Sequence, residues 1–201
     1  MKIFSIGFNK TGTTSLSNFM EMNGFIVAPQ RRFEINMDSY YSDNYGTFKY
    51  LIEKKFDYCD FFQDVPFSMP HFYKFLDKNF EDSKFILTIR DTPEEWYESV
   101  INFHKKITNK DLVDIEKVNY QFEGFISDFL RMGMGTPKKN IYSKKHLIDS
   151  YEKHIIDVEN YFRSSKKLIK LNLSENKVDE LSDFLNFNFK YNKFPHLNKT
   201  E

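Results

Sequence analysis

Residues 2–15 read Lys2-Ile3-Phe4-Ser5-Ile6-Gly7-Phe8-Asn9-Lys10-Thr11-Gly12-Thr13-Thr14-Ser15. An apolar run enters a loop bounded by two glycines. A helical pattern follows, with Leu16, Phe19 and Met20 on one face and Gly24 as its stop. Strand, glycine loop and helix in that order make a phosphate-binding loop. The common nucleotide form is G-x-x-x-x-G-K-[ST]. Gly7 and Gly12 have that spacing, but Thr13 occupies the lysine position and the lysine is displaced to Lys10.

Each residue type in the loop has a physical job. Gly12 has no side chain, so an oxyanion can approach the backbone. The amides of Thr11, Gly12, Thr13, Thr14 and Ser15 lie at a helix amino end, where free N–H groups and the helix dipole favour an anion. The hydroxyls of Thr13 and Thr14 add donors, and Lys10 can reach back over the bound group as a point charge. The plainer alternative is a threonine-capped helix after a buried strand.

The rest of the chain repeats the strand–helix alternation. Strands are expected at 2–7, 25–27, about 58–63, 84–89 and 167–173, and helices at 14–23, 45–56, 70–80, 92–106, 144–162 and 177–186. Thr92-Pro93-Glu94-Glu95 carries a cap, a first-turn proline and a glutamate in the order of a capping box. Residues 29–43 read as polar and irregular. The alternation predicts an α/β fold: three layers, with a mostly parallel central sheet of about five strands between helices. Ligands in such folds bind beyond the carboxyl ends of the strands.

Composition narrows the function. With 201 residues and 40% hydrophobic content, the chain can fill the core of one domain spanning 1–201. Lys+Arg 29 balances Asp+Glu 29, so no strong field attracts nucleic acid or an anionic membrane. The lone Cys59 excludes an internal disulfide or a cysteine zinc cage, and it reads as a small buried apolar residue. His146, His154 and His196 show no metal spacing. The amino end lacks the apolar length of a signal peptide, and no window approaches the ~20 apolar residues of a membrane helix. A cytoplasmic protein without a metal site is expected.

A second anion site is legible at 84–99. The strand Phe85-Ile86-Leu87-Thr88-Ile89 ends in Arg90-Asp91, which puts Arg90 at a carboxyl strand end. Ser99 lies about two turns into the next helix at ~3.6 residues per turn. A strand-tip arginine and a helix serine can converge on one phosphate. Asp91 is also readable as a magnesium aspartate, though the flanking Arg90 and the Thr92 cap argue against it. Trp96 and Phe103 share a face with Ser99 and read as core before adenine stackers.

Lys10-Thr11-Gly12-Thr13-Thr14 resembles the 5′-phosphosulfate loop of the sulfotransferase family, and the arginine-to-serine stretch at 90–99 resembles that family's 3′-phosphate site. Phe8-Asn9 and Ser15 depart from the usual flanks. The resemblance implies a P-loop fold and a donor, 3′-phosphoadenosine 5′-phosphosulfate (PAPS), that leaves as adenosine 3′,5′-bisphosphate (PAP). It implies that Lys10 and the loop hold the 5′-phosphosulfate, while Arg90 and Ser99 hold the 3′-phosphate. The displaced lysine suits the chemistry, since a sulfuryl group carries less charge than a terminal phosphoryl group.

Asp64-Val65-Pro66 resembles the place where many members carry a catalytic histidine before a leucine-proline pair. Asp64 is therefore the candidate general base, provided burial or a neighbouring charge raises its pKa. A turn aspartate is its plainer reading. His71 and His104 are the alternative bases; more simply they are an exposed first-turn residue and a dipole partner at a helix end. Phe194-Pro195-His196-Leu197-Asn198 resembles the ending of some bacterial branches. Residues 108–143 are expected to form an acceptor-side insertion or lid, and the acceptor is open between a small molecule, a carbohydrate and a lipid head group. A kinase or other ATP-dependent transferase, or a non-catalytic nucleotide-binding module, are the rival readings.

Overall fold

The computed structural model describes residues 1–108 and 118–195. Four parallel strands form the sheet: β1 (Ile3–Ser5), β2 (Phe61–Phe62), β3 (Lys84–Ile89) and β4 (Leu168–Asn172), in the order β2-β1-β3-β4. Each strand sends alternate side chains to opposite faces. Phe4, Phe62, Phe85 and Leu87 enter one apolar layer, while Ile3, Phe61, Ile86 and Leu171 enter the other. Both faces are buried, so the strands read as continuous apolar runs.

Helices α1 (Thr13–Met22) and α9 (Val178–Leu185) cover the second face through Leu16, Phe19, Met20, Leu181 and Leu185. The other face lies under α5 (Phe72–Asn79), α6 (Pro93–Ile107) and α8 (Lys144–Tyr161), with Trp96, Leu147 and Val158 among the buried residues. The Thr92 hydroxyl accepts the Glu95 N–H at 3.1 Å, as the capping sequence predicts.

The sheet has four strands rather than five. Phe25–Val27, expected as a strand, makes one parallel bridge, Val27 to Phe61. The stretch is squeezed between the left-handed turn at Gly24 and Pro29, which leaves no length for a ladder. Residues 29–43, expected as irregular, hold two short helices, α2 (Arg31–Glu34) and α3 (Met37–Tyr41). α4 (Gly46–Tyr50) continues as a wider π-type turn through Leu51–Lys55. The helix predicted to open at Pro70 starts at Phe72, after a left-handed His71. Within the expected insertion, α7 (Phe125–Asp128) runs into a second π-type turn at Phe129–Gly133.

The order of the strands sets the position of the site. From β1 the chain crosses to β2 on one side and returns to β3 on the other, so the carboxyl ends of β1 and β3 flank a switch point. The glycine loop leaves β1 there and Arg90 leaves β3 beside it.

Candidate functional site

The two loop glycines serve different ends. A Cβ on Gly7 would lie 2.3 Å from the Thr88 carbonyl oxygen, so Gly7 lets β1 close on β3. Gly12 sits at φ 98°, in the left-handed region where glycine is unpenalised, and precedes α1 without offering a side-chain cap. The first-turn amides of α1 have no intrahelical acceptor. A cradle for an anion therefore exists at Thr13 and Thr14.

Thr11 departs from its expected place. Its hydroxyl donates to the Phe8 carbonyl at 2.6 Å and pairs with the Thr88 hydroxyl at 2.5 Å. Thr11 is 2% exposed and its amide turns back to Phe8, so it braces the loop from below. Thr13 also differs, because its side chain acts on the Asp64 carboxylate and opposes the rise in its pKa.

Lys10, Gly12, Thr13, Thr14, Ser15, Asp64 and Arg90 line one cavity. Arg90 donates Nε–H to the Lys10 carbonyl at 2.7 Å, and its backbone N–H donates to the Tyr151 hydroxyl oxygen at 2.9 Å. Those bonds fix the root of the guanidinium and aim it along the loop. Tyr151 is itself stacked on Trp96 at 4.6 Å and 7°. Trp96 is fully buried and donates Nε1–H to the Asn9 carbonyl at 2.9 Å. Trp96 is thus core, and it braces the loop with its one polar atom.

Lys10 lies with Nζ 4.3 Å above the centre of the Phe103 ring. Loss of hydration, with Arg90 nearby, lowers its pKa, and the Asp64 carboxylate works against that fall. Asp64 adopts a left-handed φ of 61° where β2 ends, and Oδ1 accepts its neighbour Val65 N–H at 2.9 Å. Burial pushes its carboxyl up, opposed by the Val65 amide, Lys10, Gln30 and Thr13. Asp64 therefore has the raised affinity for a proton that a carboxylate base requires.

The histidines separate. His104 is 2% exposed in the last turn of α6 and enters the cavity wall. Burial and Lys10 hold its pKa down at about 3, so it is a neutral wall group and not the charged dipole partner read from its position. Its Nδ1 has no partner among the described residues. His71 lines a different cavity, with Tyr73, His154 and Asp157. Ser99 is half-buried on α6, one turn before Phe103, and is not among the residues lining the main cavity. Asp91 also faces elsewhere: Asn172 Nδ2 and Ser174 Oγ both donate to its Oδ1, the latter at 3.0 Å. Lys138, Lys139, Lys144 and Lys145 are exposed, as a solvated turn would be. Phe194 is buried against Phe19 at 4.8 Å, while His196, Leu197 and Asn198 fall outside the described residues.

A sequence profile of the sulfotransferase domain matches residues 2–201. The chain belongs to the sulfotransferase family. No curated protein matches it significantly. Sulfuryl transfer in general follows from that membership, and the sulfotransferase loop and strand-tip arginine now share one cavity. Among the described residues no helix is long and apolar enough to cross a membrane.

Two residues of this sulfotransferase site were not singled out from sequence. Gln30 and Glu34 also line the cavity. Gln30 Nε2 donates to Glu34 Oε1, and Gln63 Nε2 donates to Gln30 Oε1 at 3.1 Å. Their four-residue spacing, one helical turn, was the available signal in a segment read as irregular. Glu34 is 2% exposed, and burial together with Asp64 pushes its carboxyl up to about 7.

Proposed function

We propose that this sulfotransferase moves a sulfuryl group from PAPS to a hydroxyl or amine of an acceptor and releases PAP. The observation that carries the reading is the Arg90–Lys10 junction, where a strand-tip guanidinium is tied to the backbone of the loop lysine inside one cavity. A donor with anionic groups at both its 5′ and 3′ positions fits such a site. The uncapped first turn of α1 and Lys10 suit the 5′ end. The planar guanidinium of Arg90 suits the 3′-phosphate. Ser99 is the proposed second ligand there.

The bound donor supplies an electrophilic sulfur and a phosphate leaving group. The chain supplies everything else. Lys10, anchored over Phe103, neutralises charge as it develops on the bridging oxygen. Asp64 accepts the acceptor's proton, and burial raises its affinity for that proton above that of an ordinary aspartate. Thr13 and the Val65 amide hold that carboxylate at the end of β2. Trp96 and Tyr151 keep Asn9 and Arg90 in register, so the two anion sites move as one body.

Thermal unfolding with PAP and with ADP, each with and without magnesium, tests the donor. A ligand that binds only the native state raises the melting point by mass action. PAP is expected to raise it without magnesium, and to lose that effect in Arg90→Ala. Stabilisation by magnesium–ADP alone would refute the reading and favour an ATP-using transferase. Turnover of PAPS is expected to vanish in Lys10→Ala.

A further inference from the structure

The acceptor end of the cavity has its own chemistry. Glu34 Oε2 is fully buried and has no hydrogen-bond partner among the described residues, although its other oxygen is held by Gln30. Glu34 and Asp64 line the same cavity. The rest of the wall is largely aromatic and apolar, with Phe103, Tyr120, Phe125 and Phe129 beside Asn9 and the neutral His104. Among the described residues Lys10 and Arg90 are the two cations of that wall, and a doubly anionic donor would engage both. Arg31, the basic neighbour of Glu34 on α2, is exposed and does not line the cavity.

With the donor in place, two carboxyl groups would therefore face the acceptor, and among the described residues no lining cation would be left for their ionised forms. A neutral hydroxyl can satisfy the free lone pairs of Glu34 Oε2 but gives its ionised form no counter-charge inside the cavity. An ammonium does both, and the aromatic rings beside it attract a cation by their faces. An anionic acceptor would meet repulsion.

We infer that Glu34 is an acceptor-recognition residue, and that the acceptor carries a cationic amino group that binds Glu34 beside the nucleophile activated at Asp64. The assignment rests on the sulfotransferase reading of the site and names its substrate class: amines that also bear the reacting hydroxyl or a second amine, with an apolar body. Glu34 is distinct from the base, because the α2 helix and Gln30 hold it in place and it need not exchange a proton with the reacting atom.

Matched probes test the inference by binding, without requiring turnover. The probes are 2-amino-2-phenylethanol (cationic), 2-phenylethanol (neutral) and mandelate (anionic), titrated calorimetrically into the protein with and without PAP. The cation is expected to bind at least tenfold more tightly than the neutral alcohol, with mandelate weakest. Glu34→Gln should remove that preference. No preference for the cation in the wild-type protein, including binding by none of the three, overturns the proposal. A preference that survives in Glu34→Gln also overturns it. PAP binding, measured in the same titrations, reports on the donor separately. Failure of PAP with retained amine selectivity would sink the sulfuryl-donor reading alone.

Discussion

Replacing Glu34 by glutamine should stabilise the protein at neutral pH and do nothing at low pH. The carboxyl is 2% exposed, and burial beside Asp64 raises its pKa from 4.5 to about 7. Below pH 4.5 both the native and unfolded chains hold the proton, so the site costs nothing. Between pH 4.5 and 7 the unfolded chain releases its proton while the native chain keeps it, and stability falls as pH rises. Above pH 7 the loss is complete. At 1.36 kcal/mol per pH unit, that interval of 2.5 units amounts to about 3 kcal/mol. Glutamine never ionises. Its carbonyl can keep the bond from Gln30, and its amide can donate toward Asp64. For a domain of this size each kcal/mol moves the melting point by ~2–4 °C. Glu34→Gln should therefore melt about 6–12 °C above the wild type at pH 8 and within about 1 °C of it at pH 4. Calorimetry across that range is the assay. A difference that does not change with pH, or a variant less stable at pH 8, would refute the claim that a buried unpaired charge resides at Glu34.

Three other outcomes follow from the same geometry. Asp64→Asn should lower kcat by roughly 10²–10⁴-fold while PAP affinity holds, since a positioned base contributes at that level; in the wild type, kcat/KM should rise with pH through a limb above the ordinary 3.8 of aspartate, because the base works only when deprotonated. Arg90→Ala should weaken PAP by roughly 10–150-fold, the size of a charge-assisted hydrogen-bond loss, whereas Ser99→Ala should cost about 2–10-fold; a null effect of Ser99→Ala in equilibrium titration would confine the 3′-phosphate site to Arg90. Gly7→Ala, with its Cβ 2.3 Å from the Thr88 carbonyl, should destabilise by about 3 kcal/mol as an overpacked contact, seen as a lower denaturation midpoint at unchanged slope.

The parts of the site that sequence revealed are those whose spacing is local. The loop from Gly7 to Ser15 and the strand-tip Arg90 each belong to one strand and its following turn, and periodicity places both at carboxyl strand ends. Thr92 likewise announced itself three residues from Glu95. Thr11 misled because it belongs to the loop by sequence and to the core by contact: its hydroxyl bonds Thr88, which is distant in sequence but adjacent in the sheet. His104 misled for the same reason. A helix-end position suggests a dipole partner, and only the packing of α6 over the loop buries it beside Lys10. The fifth strand failed on length, since Gly24 and Pro29 leave room for one bridge. Gln30 and Glu34 offer a single four-residue spacing, because α2 is one turn, too short for a periodic pattern to emerge.

Lys10 and Asp64 depend on each other electrostatically. A half-buried lysine next to a half-buried arginine is driven toward neutrality, and a neutral lysine cannot stabilise a leaving phosphate. Asp64 opposes that drift from across the cavity. The same Lys10 charge, in turn, keeps the Asp64 carboxyl from rising as far as burial alone would take it. Each charge opposes the shift that burial imposes on the other. An anion arriving on the loop would raise the Lys10 pKa and so release Asp64 from part of that duty, leaving it freer to take a proton. Donor binding would then come before base activation on electrostatic grounds alone. That order has a signature: the acidic limb of activity should lie higher in the donor-saturated complex than in the free protein, because the added negative charge raises the Asp64 pKa.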